Sequence, residues 1–100
     1  MIKHIVMWKL FDEADGYTKA DNSNRIKQEL EKLPAKIKQI KSLEVGFNFN
    51  PVPAAFDIVL YSKFENWTDL KIYQDHPEHE KFKQFIQNLR SDQVVVDYEI

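Results

Sequence analysis

The chain has 100 residues, 43% of them hydrophobic and 13% aromatic, with a formal net charge of -2 and no cysteine. That length suits one domain, 1–100, and the apolar content is too high for disorder. Disulfides, thiolate metal sites and cysteine nucleophiles are excluded, no apolar run is long enough to span a membrane, and no basic stripe offers itself to nucleic acid.

In chain order, residues 2–11 place Ile2, His4, Val6, Trp8 and Leu10 opposite Lys3, Ile5, Met7 and Lys9. Bulky apolar groups on both sides predict a strand covered on both faces. This opening stretch is too short and interrupted for a signal peptide, so the cytoplasm is the expected compartment. Asp12 to Thr18, polar and containing Gly16, reads as a connecting loop. From about Lys19 to Leu33, Ile26, Leu30 and Leu33, followed by Ile37, recur at helical spacing and define one buried stripe. Pro34 ends that helix or starts a further short turn.

Residues 41–49 alternate, with Leu43, Val45, Phe47 and Phe49 on one side and Glu44, Gly46 and Asn48 on the other. They predict a half-buried outer strand. Asn50 to Ala55 carries Pro51 and Pro53 and is a stiff loop. Phe56 to Phe64 is again apolar on both sides and should be central. Asn66, with Asp69 three residues on, caps the helix carrying Leu70 and Tyr73. Phe82, Phe85, Ile86 and Leu89 mark the last helix, and Val94 to Ile100 the closing strand.

The order β-α-β-β-α-β, with the second helix divided, predicts an α+β ferredoxin-like protomer whose antiparallel sheet runs fourth, first, third, second strand. Helices cover one face of such a sheet. The other face should be apolar, drawn from sets such as Val6/Trp8/Leu10 and Ile58/Leu60. Burying it recovers about 25 cal/mol per Å², so a second copy packed face to face is expected, giving a homodimer.

The division falls at Tyr73-Gln74-Asp75-His76-Pro77-Glu78-His79. The residue before proline avoids the α region and Pro favours the first helical position, so one helix should stop near Asp75 and the next begin at Pro77. His79 then lies in a first turn, where the local dipole favours a neutral ring. Tyr73 lies on the preceding last turn. A phenol and a neutral imidazole at one corner are the components of a proton-transfer pair, although a His-Pro break also serves as a plain turn. His76 and His79 are three apart with no third histidine or cysteine beside them; Asp75 or Glu80 could join, but a structural site normally shows four protein ligands, so no metal is expected.

These elements resemble the stress-responsive A/B-barrel domain family, the dimeric α/β barrels, through Lys3-His4-Ile5-Val6 at the start, Tyr73-x-x-His76-Pro77-x-His79 at the corner, and the Phe56-Asp57-Ile58-Val59-Leu60 and Val96-Asp97-Tyr98-Glu99 strands. The resemblance covers nearly the whole chain. It implies a protomer with a cavity between sheet and helices, holding a small apolar or polyketide-like molecule. Similarity to the family's plant polyketide cyclase branch implies a catalytic base at His79 and an enolate-stabilising phenol at Tyr73, without a cofactor. It further implies a pocket lined by His4, Trp8, Ile26 and Ile58, with Ile58 standing where that branch has a second pocket histidine.

Overall fold

The computed structural model describes residues 1–100. Strand β1 (Ile2–Leu10) leads into a small hairpin, β2 (Glu13–Ala14) and β3 (Tyr17–Thr18). Helices α1 (Lys19–Glu31) and α2 (Leu33–Lys36) follow, then β4 (Ser42–Phe47) and β5 (Ile58–Phe64). Helices α3 (Trp67–Asp75) and α4 (Pro77–Ile86) precede the last strand, β6 (Arg90–Glu99). The main sheet runs β4-β5-β1-β6 with every pairing antiparallel. This is the ferredoxin-like arrangement that the apolar patterning predicts, with the two doubly apolar strands at its centre.

Local chemistry sets the helix boundaries. Thr18 caps α1 by accepting from the Asp21 N–H, and Asn66 caps α3 by accepting from the Asp69 N–H at 2.8 Å. Pro34 begins the second, short helix rather than simply ending the first. His76, at φ -68° and ψ 138°, is extended and separates α3 from α4 as the following proline requires.

The sheet buries Ile2, Val6, Trp8, Leu10, Ile58, Leu60 and Phe64 against Ile26, Leu30, Leu70, Tyr73, Phe82 and Ile86 of the helices. The assignment of Val6, Trp8, Leu10, Ile58 and Leu60 to the helix-free face is thereby corrected. With both sides of β1 and β5 apolar, residue order gives no clue to which side the helices take. The open face is instead built from Ile5, Met7, Val59, Tyr61, Val94, Val96 and Tyr98, brought together by the registers Ile5–Tyr61, Ile5–Val96, Met7–Val59 and Met7–Val94. Met7, Val94, Val96 and Tyr98 are exposed there.

Three further differences have local causes. The loop expected over residues 12–18 is a hairpin, because Asp15 and Gly16 take φ values of 56° and 79° and form the tight turn that twisted strands prefer. Phe47 and Phe49 do not join the core, and Phe49 is 97% exposed. The strand stops at Phe47 because the Asn48 side chain turns the backbone, accepting from Asn50 N–H and donating to Asn50 C=O. Finally, β6 begins at Arg90 rather than Val94, since its polar first half pairs with β1 through main-chain bonds that require no apolar side chains.

Candidate functional site

The corner between α3 and α4 is organised by His76. Its N–H donates to Tyr73 C=O at 3.2 Å, and its Nδ1 accepts from the Glu78 N–H at 3.1 Å. His76 therefore caps both helices, and its ring is not part of the cavity wall. By ending α3, it holds Tyr73 on the last turn with its ring directed into the core.

Tyr73 is fully buried, its ring 4.9 Å from that of Phe64 and 4.5 Å from that of His79. Its hydroxyl is buried with no hydrogen-bond partner. Burial alone pushes the phenol well above its ordinary range, so it stays protonated and keeps a proton that it could donate.

His79 Nδ1 lies 3.1 Å from Gln74 C=O. A carbonyl only accepts, so Nδ1 carries the proton and Nε2 is left with its lone pair. Burial is the largest cause holding the ring below its usual pKa; the Gln74 bond opposes this and the Lys83 charge adds to it. The neutral state inferred from the helix dipole thus rests mainly on desolvation. Because the folded pKa lies below 6.5, the unfolded chain binds more protons as pH falls through and beneath that value. Stability should decline with acid in this window, and His79→Gln should flatten that decline in urea melts taken between neutral and mildly acidic pH.

His4 is also buried, its ring 6.0 Å from that of Tyr73, and its Nδ1 is hydrogen-bonded to Asp97 across the β1–β6 pair. The carboxylate fixes the ring orientation and leaves Nε2 available. Trp8 donates from Nε1 to Gln93 Oε1 at 2.8 Å.

These groups share one cavity of about 540 Å³ between α3, α4 and the β1–β6 side of the sheet. Its volume falls in the range of small-molecule sites. His4, Trp8, Tyr73 and His79 line it, with Val6, Leu60, Phe82 and Ile86 forming the apolar floor. Ile26 and Ile58 do not line it: both are fully buried in the core, where α1 and β5 need apolar contacts. Asp97, Gln93 and Arg90 escaped the sequence reading. An acid between Val96 and Tyr98 was a usable signal for Asp97, but only the strand register reveals that it faces His4. No group of three or more His, Cys, Asp or Glu residues is placed to hold a metal ion, and no helix is long and apolar enough to cross a membrane.

A helix-covered antiparallel sheet with a polar-ended cavity beside the divided helix places this chain among ferredoxin-like α+β proteins. Comparison narrows the class: the chain belongs to the stress responsive A/B barrel domain family, whose model matches residues 2–100. A dimeric protein of ferredoxin-like fold from Bacteroides fragilis is 40% identical, with a TM-score of 0.86 over 99% of this chain and 95% of that one. A dimeric ferredoxin-like protein from Thermobifida fusca is 25% identical, with a TM-score of 0.83 over 99% and 90%. Hydroxynitrile lyase from Passiflora edulis shares the fold at 19% identity, with a TM-score of 0.82 over 99% and 92%. A search of curated proteins returns no match.

Proposed function

We propose that this protein is a homodimer that binds a small, largely apolar carbonyl compound in the cavity of each protomer. The observation that carries the reading is the buried Tyr73 hydroxyl without a partner. Such a group is costly to leave unpaired; Tyr73 lines the cavity, and a ligand oxygen that displaces the side chains closing over the hydroxyl would accept its hydrogen bond. Calorimetric titration with a series of β-diketones tests this, with binding expected at one site per protomer. Absence of heat with every member of the series would remove the support.

Dimer formation is supported by the exposed apolar face and by the dimeric relatives from Bacteroides and Thermobifida. Light scattering at micromolar concentration should give twice the chain mass, and Val96→Asp, at the open face, should shift it toward the monomer. A wild-type monomer would contradict the proposal.

A second reading adds catalysis and is favoured by the state of His79. With Nδ1–H committed to Gln74, Nε2 is left as the free base of a ring that lines the same cavity as Tyr73. It would take a proton from a carbon beside the ligand carbonyl, while the Tyr73 hydroxyl donates to the enolate oxygen. The proton returns from His79 or the enolate attacks a second carbonyl, as in a cofactor-independent polyketide cyclase. Deuterium exchange at the acidic carbon of a β-diketone, followed by NMR, detects the first step whatever the later fate of the enolate.

A further inference from the structure

The cavity has a second polar end, away from the Tyr73–His79 corner. Along β1 the helix-facing positions run His4, Val6, Trp8, Leu10, and β6 answers with Asp97, Val95, Gln93 and Arg90. From His4 to Trp8 is roughly 13 Å of strand, with Val6 and Val95 between.

Arg90 reaches this face through an irregularity. The register shifts between Lys9, which faces Asp92, and Leu10, which faces Arg90, so that Ser91 is the extra residue of a bulge. Without that shift, alternation would turn Arg90 to the opposite face. The bulge re-aims it onto the cavity wall.

Of the three Lys and Arg side chains lining the cavity, Lys71 is paired with Asp75 at 3.4 Å and Lys83 with Glu80 at 3.5 Å. Arg90 has no acidic partner and makes no side-chain hydrogen bond. Close by, the bond from Trp8 Nε1 engages Gln93 Oε1 and leaves the carboxamide N–H groups free to donate. A planar guanidinium fork beside an oriented amide matches the two oxygens of a carboxylate.

We propose that Arg90, with Gln93, is the anion-binding end of the cavity, and that the natural ligand carries a carboxylate separated by an apolar stretch from the carbonyl that meets Tyr73. This rests on the reading of the cavity as a carbonyl-compound site and adds the chemistry of the ligand's other end.

Decanoate and its methyl ester, titrated calorimetrically into the full chain at neutral pH, separate charge from apolar packing. Wild type should bind decanoate more tightly than the ester. Arg90→Leu should weaken decanoate by about tenfold or more and leave the ester unchanged, whereas Arg90→Lys should lose less. Gln93→Leu supplies an independent variant with a smaller loss of the same kind. Equal affinity for acid and ester in the wild type, or equal losses for both in Arg90→Leu, would overturn the assignment. Decanoate affinity in Arg90→Leu and diketone exchange in His79→Ala are separate readouts, one for each end of the cavity. Diketone exchange that disappears in His79→Ala, with decanoate affinity unaltered by Arg90→Leu, would overturn the anion end alone and leave the proton-transfer corner standing.

Discussion

Tyr73→Phe should stabilise the ligand-free protein while weakening its use of ligand, two effects of opposite sign from the loss of one oxygen atom. The hydroxyl is buried and unpaired, and such a group costs about 1–3 kcal/mol. Phenylalanine keeps the ring contacts with Phe64 and His79 and removes the unpaired atom. For a domain of this size, the melting temperature should rise by about 4 °C or more. Diketone affinity should fall, because the carbonyl oxygen loses its donor. Any catalysed exchange should fall further, since a donor to a developing oxyanion contributes most when charge has formed. A purely structural tyrosine predicts the same gain in stability, since the unpaired hydroxyl is removed either way, but no change in diketone binding. Diketone titrations therefore separate the cases, and thermal melts on the same two preparations show that both proteins are folded.

On the catalytic reading, His79→Ala should lower the rate of carbon-proton exchange in a β-diketone by about 10²–10⁴, the usual contribution of a positioned acid–base group. The ring is half-buried at the start of α4 and its only hydrogen bond within the protein is to Gln74 C=O, so the helix should remain formed. Wild-type exchange should hold its rate into mildly acidic solution and fall as pH drops through the lowered His79 pKa, because the imidazolium has no lone pair to accept the proton. A rate that is unchanged in His79→Ala would assign the exchange to another group. Imidazole added to the alanine variant provides a rescue that a structural defect would not show.

Much of this architecture was readable from residue order because different physical signals agreed. The Asn66 cap, the His76-Pro77 break and the doubly apolar central strands each follow from local rules, and together they leave few topologies. What escaped had non-local causes. The sidedness of β1 depends on where the helices pack, since Val6 and Met7 are both apolar and either could have faced inward. Ile26 and Ile58 were placed in the pocket by resemblance, but a residue at the correct element can still point into the core. The partners Asp97 and Gln93 lie 93 and 85 residues from His4 and Trp8, separations at which only strand register identifies a neighbour. Arg90 required more still, because a one-residue bulge reverses the face that alternation assigns.

The two tryptophans occupy contrasting surroundings. Trp8 is 3% exposed in the wall of the cavity, while Trp67 is 50% exposed at the start of α3 and outside that wall. The chain therefore contains a shielded fluorophore in the cavity wall and a second one open to aqueous quenchers. A ligand entering the cavity would alter the emission of the inner indole, which iodide leaves to report while silencing the outer one.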